Sequence, residues 1–398
     1  MALPIFQENR KWNICYLPMI QRYYKLYDEI EDGSVFLFGA RQTGKSTFLA
    51  QQFENAVTFD LLNGEIKRRF RLHPSLLFDL LQDKPAGTIV VIDEIPEVPE
   101  LLNEVHRLIQ QKQLKFILCR SSARKLRRKG YNTLGGRAFP CYFYPFVSTE
   151  LPDLDLDKAL LYGMLPPVYL AKNPKRQLSS YIDVYLKEEI EEEALSRNLE
   201  TFIRFMNVAA LTSSEIVNYS NIASDCGVSA KTVKEYFSIL EDTLIGYLVP
   251  AYTKATKRKV SQSPKFYYFD VGVYNYLMNR TSLSQGTPEY GHAFEHFVVQ
   301  EIRAYLGYTH NEKKLSYWHT YTNKEIDVVI GEAEFGIEIK STEEIQPKHL
   351  GNFKDYHDEF PESRCIMVSR DKLSRRSGNI EILYVFDFLK MLWNGELF

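Results

Sequence analysis

The chain has 398 residues, of which 45% are hydrophobic and 25% charged, and its formal net charge at pH 7 is −2. This composition excludes a disordered, collagen-like or coiled-coil protein, and at about 150 residues per domain the length predicts two or three domains. A net charge near zero also excludes a global positive field, so any surface that binds nucleic acid has to be local.

The N-terminal sequence and the cysteines indicate a cytoplasmic protein. Charged side chains occur in the first residues, MALPIFQENRKWN, before an apolar segment can form, which argues against a signal peptide. In the whole sequence no apolar run approaches the roughly 20 residues of a membrane span. The cysteines are far apart, odd in number and without a CxxC motif, which favours reduced thiols over disulfides or a zinc site. They are Cys15, Cys119, Cys141, Cys226 and Cys365.

Residues 1–150 alternate short apolar runs with amphipathic stretches, a pattern typical of strands that alternate with helices in a parallel sheet. The runs VFLF (35–38), TIVVI (88–92) and KFILC (115–119) are apolar throughout, as expected for strands that are covered on both faces. The sequence therefore predicts an α/β domain at the N-terminus.

A glycine-rich loop follows the first apolar run, with the pattern Gly39-x4-Gly44-Lys45-Ser46. Its glycines let backbone N–H groups surround a β-phosphate at a helix N-terminus, Lys45 reaches the β- and γ-phosphate oxygens, and the Ser46 hydroxyl binds Mg²⁺. An ordinary glycine turn after a strand is the alternative. The predicted ATP-binding residues are Gly39, Ala40, Arg41, Gln42, Thr43, Gly44, Lys45, Ser46 and Thr47.

Two adjacent acids after the second apolar run are the predicted partners of this loop. Asp93 is expected to orient Mg²⁺ and Glu94 to polarise the attacking water, because paired carboxylates at a buried strand end are costly to bury without a metal. A polar strand end at the surface is the alternative. Ser121 and Ser122, at the end of the third run, are candidates for sensing the γ-phosphate, although serine is also a common turn residue.

Basic residues lie just beyond this third run. Residues 120–129 (RSSARKLRRK) carry six basic side chains, which fit either a solvated helix or a contact surface for a neighbouring subunit or an anionic polymer. Arg137 in LGGR is a candidate arginine finger that acts in trans, a role worth about 10³–10⁵ in rate where it occurs.

The segments GARQTGKST, IVVIDEIPEVPELL, SSARKLRR and LGGRAFPCYFYPF together resemble a large prokaryotic group of AAA+ ATPases of unknown function. The resemblance covers nearly the whole chain and implies ATP and Mg²⁺ as ligands, homo-oligomers whose sites are completed across a subunit boundary, and a C-terminal domain of unknown function. Arg120 departs from the pattern, because these proteins usually carry glycine before the serine pair.

Residues 151–205 are predicted to form a helical connector or lid. Prolines punctuate the segment at positions 152, 166, 167 and 174, and its acidic run KEEIEEEAL (187–195) is most simply a solvated helix face.

Residues 206–275 are predicted to form a winged helix-turn-helix. Ala223 packs closely at the helix crossing, Gly227 takes the positive-φ turn and Val233 faces the core, while Ser229 is the expected N-cap of the second helix. A packing or protein-interaction module is the alternative to DNA binding.

A basic stretch without acids runs from Thr243 to Phe269 and would carry the wing. A strand pair there is a natural element for contacting phosphates. The candidate DNA contacts are Lys231 and Lys234 on the second helix and Lys257, Arg258 and Lys259 in the wing, and Lys254 and Lys265 lie in the same stretch.

Two alternating runs in EIDVVIGEAEFGIEIK (325–340) predict a strand pair with a turn at 331–334. This register sets Asp327 opposite Glu338, where like charges repel unless a cation lies between them, and sets Lys340 opposite Glu325. A further acid, Glu295, falls within the apolar stripe of a helix predicted over 291–306, and a carboxylate at such a position is rarely there for solubility. His296 lies off this stripe and is expected at the surface.

A helix acid, a strand acid and E-x-K on the next strand resemble the PD-(D/E)xK nuclease fold, and this adds to the first resemblance. The resemblance implies that Glu295, Asp327 and Glu338 hold a metal and that Glu338 and Lys340 are catalytic. A cross-strand Glu325–Lys340 pair with incidental acids, or an intact fold that only binds, are the alternatives.

The sequence thus predicts an α/β protein with four segments: an AAA+ P-loop ATPase domain (1–150), a connector (151–205), a winged helix-turn-helix (206–275) and a nuclease-like domain (276–398). The predicted function is ATP binding and hydrolysis by a protein that acts on DNA through a winged helix and a Mg²⁺-dependent nuclease-like domain. The alternative is a nucleotide-controlled interaction or assembly switch whose C-terminal domain binds nucleic acid or protein without cleaving.

Overall fold

The computed structural model describes residues 20–120, 136–186, 199–253 and 263–398. The chain divides into two compact units, one of residues 1–145 and 242–244 and the other of residues 146–241 and 245–398. The division into four segments at 150, 205 and 275 stays a prediction. Within the described ranges, no helix is long and apolar enough to cross a membrane.

The first unit is built on a five-stranded parallel sheet with the strand order β2-β3-β4-β1-β5. Strand β1 is buried along its whole length, as its continuous apolar sequence predicts. The parallel α/β sheet predicted for the N-terminal part is therefore confirmed. Its strands are β1 (Ser34–Phe38), β2 (Val57–Asp60), β3 (Ile89–Asp93), β4 (Lys115–Arg120) and β5 (Ala138–Tyr142).

Helices cover this sheet, and three of them bury their apolar faces against the side that carries Phe36, Ile92 and Phe116. Local sequence signals define the helix ends; the side chain of Asn63, for example, caps α3 by accepting hydrogen bonds from two backbone N–H groups. The helices of the unit are α1 (Leu26–Asp32), α2 (Lys45–Gln52), α3 (Gly64–Leu72), α4 (Leu76–Leu81) and α5 (Leu101–Lys112), and the three against that face are α3, α4 and α5.

The second unit begins with helices and a two-stranded antiparallel sheet. The predicted local features of its helix pair are confirmed: Gly227 has φ +68° at the turn, Ser229 Oγ accepts the Thr232 N–H at 3.1 Å, and Val233 is fully buried. The acidic run at 187–195 lies outside the described residues. The elements are α6 (Leu156–Tyr162), α7 (Pro166–Tyr169), α8 (Pro174–Ser180), a π-helical turn (Tyr181–Leu186), α9 (Leu199–Leu211), α10 (Tyr219–Cys226), α11 (Ala230–Asp242), β6 (Gly246–Val249), β7 (Lys265–Tyr268) and α12 (Val271–Leu277).

The rest of this unit is a six-stranded mixed sheet, in the order β12-β13-β11-β10-β9-β8, with three further helices. The β9–β10 hairpin pairs Phe335 with Ile330 and Ile337 with Val328, so the predicted register next to the turn at 331–334 is confirmed. The pairing ends there, and Glu325, predicted opposite Lys340, contacts Lys265 instead. The elements are α13 (Pro288–Tyr308), β8 (Leu315–His319), β9 (Glu325–Ile330), β10 (Phe335–Lys340), α14 (Gly351–Glu359), β11 (Arg364–Ser369), β12 (Arg375–Ser377), β13 (Ile380–Tyr384) and α15 (Val385–Trp393).

Helix α13 is buried on more than one side, which corrects one expectation. His296, expected at the surface, is fully buried, and its Nε2 lies 2.7 Å from the Tyr268 carbonyl oxygen. The reason is tertiary, because α13 packs against α6, α12 and α15 as well as against strand β10. At His296 these neighbours leave no solvated surface.

Candidate functional site

The loop predicted to bind phosphate joins the end of β1 to the start of α2. Gly44 adopts the left-handed conformation with φ +93° immediately before α2, and Gln42 also has a positive φ of +63°. Gly39 lies in close contact with the chain beyond β5, because a Cβ atom added there would be only 2.6 Å from the Phe143 carbonyl oxygen. The two glycines of the motif thus meet two different physical needs, a turn and a close approach.

The side chains of this loop converge with the acid of β3. The ammonium group of Lys45 donates to the carbonyl oxygens of Gly39 at 2.6 Å and Ala40 at 3.0 Å, and the Ser46 hydroxyl donates to Asp93 Oδ2 at 2.8 Å. Burial raises the pKa of Asp93, while the hydrogen bond from Ser46 and the charge of Lys45 oppose this effect. Loop and acid therefore meet at one end of the sheet.

The strand order explains why they meet. Strand β4 lies between β1 and β3, all three run parallel, and the carboxyl ends of parallel strands lie at one edge of the sheet. Glu94, the next residue, has φ +58° and ψ +50°, a conformation that non-glycine residues rarely adopt. Strain of this kind persists where the surrounding structure imposes it, often at functional sites.

The remaining predicted loop residues have different environments. Thr43 is fully buried and its hydroxyl donates to the Ala40 carbonyl oxygen at 2.9 Å, so it stabilises the loop from inside. Arg41 and Gln42 are partly buried, and Thr47, in the first turn of α2, is exposed.

Sequence reasoning missed Arg22. Its guanidinium group donates to the carbonyl oxygens of Thr43 at 2.8 Å, Tyr144 at 2.8 Å and Pro145 at 3.0 Å, and lies 4.1 Å from the centroid of the Phe143 ring. Arg22 thereby links the phosphate loop to the segment after β5. The only signal for it in the sequence was an arginine in an otherwise unassigned N-terminal stretch.

Arg120 and Arg137 lie in different places. Arg120 ends β4 and is buried, with its guanidinium carbon 3.8 Å from the Phe38 ring centroid, while Ser121, Ser122 and the other basic residues to 129 lie outside the described part of the chain. Arg137 immediately precedes β5, whose first residue pairs with the first residue of β1. The phosphate loop follows the last residue of β1, so Arg137 lies roughly 15 Å away by strand rise, at the opposite edge of the sheet.

The second unit brings together residues that were predicted to hold a metal. Asp327 on β9 and Glu338 on β10 are both buried, and Lys340 Nζ lies 2.7 Å from Glu338 Oε1 and 3.9 Å from Asp327 Oδ2. Asp327 Oδ2 also accepts the Ile339 N–H at 2.7 Å. These three side chains form one half of a charged cluster.

Lys265 on β7 forms the other half, and it was not recognised in the sequence as part of this site. Its ammonium group lies 2.5 Å from Glu325 Oε1, 3.4 Å from Glu295 Oε1 and 3.9 Å from Asp327 Oδ1. Lys265 lies on the predicted strand pair but is 1% exposed, so it is not part of a solvent-facing basic surface. Lys254, Lys257, Arg258 and Lys259, from the same stretch, lie outside the described residues.

We call the six side chains that meet here the carboxylate–lysine cluster. It consists of Glu295, Glu325, Asp327, Glu338, Lys265 and Lys340.

Burial and charge act together on the pKa values of this cluster. Burial raises the pKa of both Glu338 and Glu295; the charge of Asp327 raises both further, whereas Lys340 opposes the rise at Glu338 and Lys265 opposes it at Glu295. Burial alone would lower the pKa of Lys265 and Lys340, but the surrounding carboxylates outweigh it and raise both. Both lysines therefore remain cationic at neutral pH.

The cluster fits a divalent metal only in part. Glu338 Oε2 is buried and accepts no hydrogen bond from the described residues, as expected of an oxygen that faces a cation. Against this, Glu295 Oε1 already accepts hydrogen bonds from Tyr267 Oη at 2.7 Å and from Lys265 Nζ at 3.4 Å. Across the described ranges, no group of three or more histidine, cysteine or acidic side chains is arranged to hold a metal ion. As arranged, the cluster does not fit Mg²⁺ with Glu295 as a ligand.

Three family models match successive parts of the chain. Residues 31–151 match a model described as an AAA domain, residues 153–284 match a domain of unknown function, DUF8612, and residues 290–388 match another, DUF4143. The first match and the parallel sheet support an AAA-type P-loop domain in this part of the chain.

Among solved structures, the chain is similar to a Signal Transduction ATPase with Numerous Domains protein with a tetratricopeptide repeat sensor from Pyrococcus horikoshii. The identity is 13% and the TM-score 0.23, and the alignment covers 77% of this chain. The chain spans about half the length of that structure, 52%. No curated protein matches the chain.

Proposed function

We propose that the protein binds and hydrolyses ATP at loop 39–47 and that its nucleotide state controls the second unit. The observation that carries the first part is the 2.8 Å hydrogen bond from Ser46 to Asp93, two residues that are 47 positions apart in the chain. It joins the loop hydroxyl to the strand-end acid, which is the arrangement that a P-loop site needs to hold Mg²⁺ beside the phosphates.

Each residue has a separate role in this proposal. Lys45 exchanges its contacts with loop carbonyl oxygens for the β- and γ-phosphate oxygens, and Glu94 orients the attacking water and accepts its proton. Ser46 and Asp93 would hold Mg²⁺, which when bound neutralises charge on the phosphates.

The test is ATP turnover by wild type and Lys45→Ala, with Lys67→Ala as the matched control. Lys67 lies in the same unit on α3, where it pairs with Glu97 at 2.8 Å. We expect turnover to fall about 10²-fold or more in Lys45→Ala only, as for other preorganised charge-stabilising groups. Normal turnover in Lys45→Ala would refute the assignment.

For the second unit, two functions compete. One is DNA cleavage with Mg²⁺ at Glu295, Asp327 and Glu338 and with Lys340 as the basic catalytic group. The other is a nucleotide-controlled switch that binds nucleic acid or protein without cleaving it. The position of Lys265 among the carboxylates favours the switch, because an ammonium group already lies between them and offsets part of their charge.

A cleavage assay separates these functions. Circular, linear and single-stranded DNA would be incubated with Mg²⁺ or Mn²⁺, with and without ATP, and wild type compared with Glu338→Ala and Lys340→Ala. Cleavage by wild type that both substitutions abolish would establish the nuclease. Absence of cleavage on every substrate supports the switch, and cleavage that survives both substitutions would come from a contaminant.

DNA binding through α11 is a separate proposal, supported by two exposed basic side chains, Lys231 and Lys234. If both contact phosphates, replacing them with alanine should reduce the slope of log affinity against log salt by about 2. Binding that does not weaken with salt would argue against phosphate contacts.

A further inference from the structure

Lys265 reaches the carboxylate–lysine cluster from a strand outside the six-stranded sheet. It is the first residue of β7, where it pairs with Val249 of β6. Side chains two residues apart on a strand share a face, and Tyr267 accordingly lies on the same side and donates its hydroxyl to Glu295. Strand β7 therefore presents a cation and a hydrogen-bond donor to helix α13.

The burial of Lys265 is unusual for its residue type. Lysine is almost never fully buried unless it is paired, because removing an ammonium group from water is costly without compensating charge. Here the side chain is 2% exposed, and carboxylate oxygens from α13 and β9 lie between 2.5 and 3.9 Å from its nitrogen. The surroundings of Lys265 are thus those of a bound cation.

The oxygen atoms around Lys265 belong to the type of ligand that Mg²⁺ and Mn²⁺ prefer. Two of the three carboxylates, Glu295 and Asp327, are residues predicted to bind the metal, and the third is Glu325. A divalent ion placed among them would have to share the site with the positive charge of the Lys265 ammonium group. Electrostatic repulsion at such distances opposes metal binding.

We infer that Lys265 is a built-in cation that takes the place of a divalent metal ion between Glu295, Glu325 and Asp327, so that this site holds no metal in the native protein. The inference rests on the proposed non-cleaving function of the second unit, but it concerns metal binding and is independent of ATP turnover.

The experiment measures Mn²⁺ binding by isothermal titration calorimetry with the full chain and no nucleotide. Wild type is compared with Lys265→Met, which removes the charge at similar length, and with Lys265→Arg, which keeps it. We expect no Mn²⁺ binding that depends on the cluster in wild type and Lys265→Arg, and one additional bound Mn²⁺ per chain in Lys265→Met.

Two additional variants keep the experiment decisive. Lys265→Met with Asp327→Asn should lose the acquired site, which locates the ion in the cluster. Lys265→Met alone leaves buried carboxylates without their cation, which can prevent folding. Lys265→Met with Glu325→Gln also removes one negative charge and is the variant to use in that case. Thermal unfolding with and without Mn²⁺ should show stabilisation by the ion in the variants that bind it.

Either of two results would overturn the inference. One is an Mn²⁺ site in wild type that Asp327→Asn abolishes, since Lys265 would then not exclude the ion. The other is failure of Lys265→Met, alone and combined with Glu325→Gln, to gain Mn²⁺, which would make Lys265 a structural ion-pair partner only. If the Lys265 variants hydrolyse ATP normally, either of these results leaves the P-loop assignment intact. Turnover in Lys45→Ala, in turn, bears only on the P-loop assignment.

Discussion

Gly39→Ala tests whether the phosphate loop depends on close packing against the chain after β5. The backbone of Gly39 is not in the positive-φ region, so alanine meets no conformational barrier there. Its Cβ, however, would lie 2.6 Å from the Phe143 carbonyl oxygen and 3.2 Å from both Phe143 Cβ and Thr43 Oγ1. The substitution therefore acts through overpacking alone.

The magnitude follows from how firmly Phe143 is held. Its backbone N–H donates to the Phe38 carbonyl oxygen at 2.6 Å, and its ring packs against Phe48 with centroids 4.6 Å apart. Because Phe143 has little freedom to move away, the loop itself has to shift. Overpacking in such places typically costs about 1–3 kcal/mol. For a unit of this size we expect Tm to fall by about 5 °C.

The assay combines thermal unfolding followed by circular dichroism with ATP affinity measured by calorimetry. A loop displaced by the methyl group should also bind ATP at least about tenfold more weakly, since its N–H groups no longer converge on the phosphates. Gly64→Ala is the matched control, because a Cβ at the first residue of α3 meets nothing within 4 Å. There we expect unchanged ATP affinity and a gain of up to about 1 kcal/mol. Wild-type stability and affinity in Gly39→Ala would refute the packing argument.

Further expectations concern strain, anchoring, subunit complementation and pH. Glu94→Asn should abolish ATP turnover without loss of stability in thermal unfolding, because asparagine tolerates the left-handed conformation that Glu94 adopts. Arg22→Lys should weaken ATP binding in calorimetry about as much as Arg22→Ala, since a single ammonium group does not reproduce the guanidinium contacts to three carbonyl oxygens. If Arg137 acts in trans, Arg137→Ala and Lys45→Ala should each be inactive alone and regain turnover when mixed; no recovery in a mixture shown to co-assemble would exclude that role. Burial lowers the pKa of His296 to about 4. Between about pH 4 and 6.5 the unfolded state therefore binds more protons than the folded state. The free energy of unfolding should rise with pH in that window, by up to about 3 kcal/mol. His296→Gln, measured by urea unfolding across this range, should remove that part of the slope.

Much of the first site was predictable because its signals are local. Gly39, Gly44, Lys45 and Ser46 lie in one short motif. The position of Asp93 beside them follows from its place at the end of an apolar strand, because the carboxyl ends of parallel strands lie at the same edge of the sheet. The β9–β10 register was predictable for the same reason, since a short turn leaves the pairing few choices.

The tertiary structure alone decided which charges meet. Lys265 lies 30 residues before Glu295 and 60 before Glu325, in a stretch whose basic character pointed to solvent and DNA, yet the fold buries it against both acids. Arg22 and His296 show the same limit, because the partners of the first and the enclosure of the second come from distant segments.

The near-zero net charge of −2 thus gave the total charge of the chain but not where its individual charges lie in the fold. By itself the sequence predicted the phosphate loop and the local elements, because these depend on neighbouring residues and on strand and helix periodicity. Whether a given lysine lies in water or replaces a cation among buried carboxylates depends on the packing of separate elements, since the electrostatic energy is set by distances in space and not by positions along the chain.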